Sequence, residues 1–171
     1  MPAGERGGGS GRHAVVDRAH VHALMTEIGP ALELAEVQEF ERDNLWTLVV
    51  DQGTVLFAEY DPDDARLWLS ADVCAPQPGD RSKLYELMLQ YNARWRQTGG
   101  VRLALDGPGG TVVQAYDMTV NGLDLSRLCT VVGNFRETLA AWREIVAASV
   151  TGQDADAGRI DPVLMGGVIR G

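Results

Sequence analysis

Two β-rich runs, residues 45–51 (LWTLVVD) and 54–60 (TVLFAEY), are separated by only Gln52 and Gly53. Two residues can reverse a chain into an antiparallel neighbour, whereas a parallel crossover needs a dozen or more, so this spacing predicts a β-hairpin. A second turn sequence, Asp61-Pro62-Asp63-Asp64, leads into a third run over 66–73 (RLWLSADV), with Leu67, Leu69 and Ala71 on one face. Three strands joined this tightly form a meander, which must bury its apolar face against something other than itself.

Helical patterns supply that cover. In VDRAHVHALMTEIGP, Val21, Leu24, Met25 and Ile28 recur at helical spacing from about Asp17, and Gly29-Pro30 is expected to end the run. Residues 80–100 (DRSKLYELMLQYNARWRQTGG) place Leu84, Leu87, Met88, Tyr91 and Trp95 on one stripe, which Tyr85 and Leu89 widen. Asp80 is the expected N-cap and Gly99-Gly100 the stop. A helix apolar on more than one side has more to bury than one sheet face can cover, which calls for a partner. Residues 101–106 (VRLALD) alternate, GPGG at 107–110 turns, and 111–120 (TVVQAYDMTV) returns. Asp124 then caps a long helix to about residue 150, with Leu128, Val131, Val132, Phe135, Leu139, Trp142 and Val146 in one stripe. The stretch 31–44, with five acids, shows no clear periodicity.

The expected class is therefore α+β, an antiparallel twisted sheet in the order α-β-β-β-α-β-β-α. A single domain is expected over 15–150, after a Gly-rich, disordered lead at 1–14 and before a flexible tail at 151–171 that ends in the apolar PVLMGGVIRG. Twenty-four acids against 15 bases give a formal net charge of -9. Such a chain repels phosphate backbones and anionic lipid, so neither nucleic acid nor membrane is expected as a partner. No run is long and apolar enough to span a bilayer, and the opening residues lack the apolar core of a signal peptide, so a cytoplasmic location is expected. Cys74 and Cys129 stand among apolar neighbours and are read as reduced core residues.

No motif carries chemistry. His20 and His22 are two residues apart, which on a helix sends them to different faces, so no metal site is expected. The DPDD turn lacks the glycine and distal glutamate of a calcium loop, and GPGG joins strands with no helix N-terminus behind it to cradle phosphate. Ser70, Ser82, Ser126 and Ser149 lie in no nucleophile-elbow context. Neither enzyme activity nor a cofactor is expected. What remains is apolar surface: Trp46, Trp68, Trp95 and Trp142 with large aliphatics on short elements, a composition that marks protein partners.

The linked segments LWTLVVDQGTVLFAEYD, LYELMLQYNARWRQTGGVRLALD and TVVQAYDMTVNGLDLSRLCTVVGNFRETLAAWREIV, with Ile28-Gly29 closing the first helix and Leu123-Asp124 opening the last, resemble the class I chaperones of type III secretion, the CesT-like (Tir chaperone) family. The resemblance spans roughly residues 17–148. It implies a homodimeric, secretion-chaperone-like sandwich whose middle helix and following strand make the subunit contact. It also implies a surface holding the N-terminal region of secreted effector proteins in extended form, with no nucleotide. The expected dimer patch is Leu84, Leu87, Met88, Tyr91, Trp95, Val101, Leu103 and Leu105. The expected client surface takes Val21, Leu24, Met25 and Ile28 from the first helix with Trp46, Leu48, Leu56 and Phe57 from the early strands; about half of these should be core. A protein-interaction or regulatory module on the same fold, serving no secretion system, is the alternative.

Overall fold

A computed structural model of the chain describes residues 10–150, and side chains over 18–148. Of the expected lead at 1–14, residues 1–9 lie outside the described residues, as does the expected tail at 151–171, while 10–14 form the first turns of a helix that begins at Ser10 and not near Asp17. The elements are α1 (Ser10–Ala31), β1 (Glu36–Phe40), β2 (Leu45–Asp51), β3 (Thr54–Asp61), β4 (Arg66–Cys74), α2 (Arg81–Ala93), β5 (Arg102–Leu105), β6 (Val112–Thr119) and α3 (Leu125–Val150). The six strands form one antiparallel sheet in the order β1-β2-β3-β4-β6-β5.

The hairpins form where the short connections require them. At the β2–β3 turn the Gly53 amide donates to Asp51 Oδ1 at 2.9 Å, and that bond holds the Asp51 carboxyl below its ordinary value. Asp61 Oδ1 accepts from the Asp63 and Asp64 amides in the next turn. Alternation then sorts the strands into two faces. Trp46, Leu48, Leu56, Ala58, Tyr60, Leu67, Leu69, Ala71, Val112 and Met118 point to one face, where the cross-strand register sets Leu48 opposite Leu56 and Ala58 opposite Leu69. Those residues form one buried cluster with Val21, Met25 and Ile28 of α1 and Leu128, Val132, Phe135 and Leu139 of α3. Asp124 caps α3 as expected, its Oδ1 accepting from the Arg127 amide at 2.7 Å.

Four further features depart from the sequence reading. Stretch 31–44, left without an assignment, holds a sixth strand, β1, and a 3-10 turn at Glu41–Asp43, so the order is α-β-β-β-β-α-β-β-α. Its sequence EVQEF hides the strand because Val37 faces the helices while Phe40 faces the opposite way, and the other inward position is Glu39. Second, α1 passes through Pro30, which forfeits only its own amide bond. The helix ends where Glu33 adopts a left-handed conformation (φ 52°) and the Leu34 amide donates back to the Gly29 carbonyl. Third, Asp80 makes no side-chain cap to α2; only its carbonyl engages, accepting from the Leu84 amide. Fourth, α2 closes at Ala93, where the Arg94 amide turns back onto the Tyr91 carbonyl. Trp95 thus lies in the turns beyond the helix, which end with Gly99 and Gly100 at positive φ.

The β5 edge of the sheet is closed by a side chain. Asn92 of α2 accepts from the Leu103 amide at 2.9 Å and donates to the Leu103 carbonyl at 2.8 Å, imitating a further strand. Tyr91, one residue earlier, packs edge-on against Trp142 of α3 (centroids 5.1 Å apart), and burial pushes its hydroxyl up to about 12. Gln114 is fully buried on the helix face; its amide donates to the Phe135 carbonyl at 2.8 Å, while its own oxygen has no partner among the described residues.

In chemical denaturation, Phe135→Ala should cost about 3–5 kcal/mol through the cavity it leaves. Gln114→Met, which removes a bond but also an unpaired buried oxygen, should change stability by less than about 1.5 kcal/mol in either direction. Asn92→Ala should cost about 1–3 kcal/mol and accelerate hydrogen exchange at the Leu103 amide; an unchanged amide would show that the edge is not closed this way.

Candidate functional site

The opposite edge of the sheet is built differently. Among the described residues β1 pairs with β2 alone, its other side bordering no strand, and an unpaired edge strand offers main-chain donors and acceptors to another chain. Where α1 passes over this edge, Gly29 allows close approach, since a Cβ there would stand 3.2 Å from Val37 Cγ2. Between them runs an open groove of about 620 Å³, with Met25, Leu34, Val37 and Trp46 among its apolar walls.

The groove is acidic. Glu33 and Glu36 stand at its rim, and Glu39 points inward opposite Trp46. Glu39 is anchored from α1: Arg18 Nη2 donates to one carboxylate oxygen at 2.9 Å and His22 Nδ1 lies 2.8 Å from the other. Arg18 also donates to Asn44 Oδ1 at 2.9 Å and rests over the Trp46 ring. This cross-tie fixes one end of the groove, while at the other the Ala35 amide donates to the Val49 carbonyl at 2.8 Å. The two helical histidines diverge as their spacing requires, His20 Nε2 meeting the Leu123 carbonyl at 2.6 Å. Among the described residues no group of three His, Cys, Asp or Glu side chains is placed to hold a metal. Burial pushes the Cys74 and Cys129 thiols up, away from the reactive thiolate.

Among the described residues no helix covers the second sheet face. Phe40, Val55 and Trp68 are exposed there, with Leu45 and Phe57 beside them. Toward β5 the face turns polar: Asp117 pairs with both Arg66 and Arg102, and Arg102 lies over Trp68.

Of the residues expected at a client surface, Val21, Leu24, Met25, Ile28, Trp46, Leu48 and Leu56 are buried, with Met25 and Trp46 reaching the groove. Phe57 lies on the uncovered sheet face. Of the expected dimer patch, Leu84, Met88, Tyr91, Val101 and Leu103 are buried within their own subunit, and Leu87 and Leu105 are half-buried. Trp95 is 58% exposed, and Leu89, on the flank that Tyr85 shares, is 70% exposed. The rim acids, Leu34 and Val37 were not singled out in the sequence because they fall in the stretch without periodicity.

No helix among the described residues is long and apolar enough to cross a membrane. No curated protein sequence matches the chain. Two of the solved structures that share its fold are complexes of known composition. One is a crystal structure of the ExsC-ExsE complex, with TM-score 0.64 and 17% identity, over 75% of this chain and 95% of that one. The other is the HopA1-SchA chaperone-effector complex, with TM-score 0.59 and 19% identity, over 75% of this chain and 97% of that one. A sequence profile of the Tir chaperone protein (CesT) family matches residues 23–143, most of the chain and every element from the middle of α1 well into α3. The chain belongs to the Tir chaperone protein (CesT) family.

Proposed function

We propose that this protein is a type III secretion chaperone that binds the N-terminal region of one or more effectors in extended form and keeps it soluble and competent for export. It acts as a homodimer in the bacterial cytoplasm, by binding alone, with no catalytic step. Membership of a chaperone family supports the reading, and one solved structure of the same fold is a chaperone-effector complex. The observation that carries it is the unpaired β1 edge beside an apolar groove.

An extended segment adding to β1 gains main-chain hydrogen bonds while its alternate side chains enter the groove over Val37, Leu34 and Trp46. Glu33 and Glu36 favour a segment with basic residues beside its apolar anchors. Each main-chain bond contributes about 0.5–1.5 kcal/mol net, and ordering the client costs about 2–5 kcal/mol. The groove alone is therefore too small, and tight binding requires the client to continue onto the uncovered sheet face with Phe40, Phe57 and Val55. For the subunit contact, the α2–β5 surface presents Leu87, Trp95 and Leu105 of the expected patch, with Leu89 beside them, while Leu84, Met88, Tyr91, Val101 and Leu103 shape it from beneath. A stable contact of this kind buries about 1,600 Å² in total.

Tagged protein recovered from the source bacterium should carry secreted proteins whose N-terminal segments resist proteolysis, and Val37→Asp should abolish their recovery while leaving the dimer intact. Recovery of only a folded partner would instead favour a regulatory module on this fold. In sedimentation, Leu89→Asp should give a folded monomer; an unchanged dimer would move the contact elsewhere.

A further inference from the structure

The solved structures of this fold are matched over nearly their whole length, yet a quarter of this chain has no counterpart in them, and the family match ends at residue 143 of 171. Residues 151–171, outside the described residues, comprise a polar stretch and then Arg159-Ile160-Asp161-Pro162-Val163-Leu164-Met165-Gly166-Gly167-Val168-Ile169-Arg170. This segment has the composition that the groove asks of a client: two apolar clusters, Val163-Leu164-Met165 and Val168-Ile169, flanked by Arg159 and Arg170.

The fold delivers it to the right end of the sheet. Near the end of α3, Arg143 donates to the Asp72 carbonyl at 2.7 Å and to Thr54 Oγ1 at 3.0 Å, which sets it beside the β2–β3 turn. That turn follows Val49, whose carbonyl holds Ala35 at the mouth of the groove. Two strand spacings, about 10 Å, separate β3 from β1. The 13 residues from Val150 to Val163 reach about 40 Å when extended, well beyond that need. A tether of this length keeps its end at roughly millimolar effective concentration, so even a weak contact is populated.

We propose that residues 162–170 occupy the α1–β1 groove of their own chain, an internal stand-in that a client must displace. The apolar clusters lie against Leu34, Val37 and Trp46, and the flanking arginines face Glu33 and Glu36. The tail thereby shields the apolar groove until an effector arrives, and only segments that bind better than the tethered one are retained. The proposal rests on the reading of this groove as a client site, but its test uses no effector, so the two fail separately.

The test is hydrogen–deuterium exchange on the full-length protein and on full-length Leu164→Asp/Ile169→Asp, with circular dichroism confirming that both are folded. Exchange over residues 33–40 should be at least about threefold faster in the variant, with 66–74 unchanged. Glu33→Lys/Glu36→Lys should give the same acceleration, and combining it with the tail substitutions should add little. Superimposable exchange over 33–40 would overturn the proposal. So would a difference that vanishes on tenfold dilution, which would place the tail on a second copy.

Discussion

Trp46, Leu48, Leu56, Leu69 and Val112 from the sheet meet Met25, Ile28, Val132 and Phe135 from α1 and α3 in one apolar contact, and the rest of the molecule depends on it. Each such side chain contributes about 1.5–3 kcal/mol when fully buried. With two helices spent on one face, α2 is the helix left among the described residues, and it is drawn to the β5 edge by Asn92 and to α3 by Tyr91 and Trp142. Among the described residues no further element lies over the second sheet face or beside the β1 edge.

The two edges show how differently the same liability is treated. At β5 an amide side chain satisfies the exposed main chain. At β1 the strand is short and acidic, which discourages indiscriminate pairing with other acidic chains yet leaves its main chain open. A formal net charge of -9 works in the same direction: it keeps copies of a sticky protein apart and admits basic partners. For the proposed holding of extended segments, an edge that is open but selective is the functional requirement.

Much of the architecture was legible in the sequence because tight turns and strict alternation leave few options. Gln52-Gly53 sets the hairpin, the Leu67, Leu69, Ala71 alternation sets the buried face of β4, and Asp124 sets the start of α3. The site was harder to read. β1 is hard to read from sequence because its inward positions are Val37 and Glu39, and the partial burial of Glu39 makes sense only once Arg18 and His22, some twenty residues earlier, are brought beside it. Periodicity identified Val21, Leu24 and Ile28 as apolar, but whether an apolar residue is core or surface depends on what packs over it. Trp95 illustrates the same limit, since helical spacing carries no sign of where the helix stops.

The central claim is that the β1 edge, and not the β5 edge, receives the client. Site-specific photo-crosslinking in the source bacterium tests it most directly, with the photoreactive residue at Gln38 on β1 or at Ala104 on β5, both exposed. Crosslinks from Gln38 to the N-terminal region of secreted proteins, with none from Ala104, are the expected result. Crosslinks from Ala104 and none from Gln38 would contradict it.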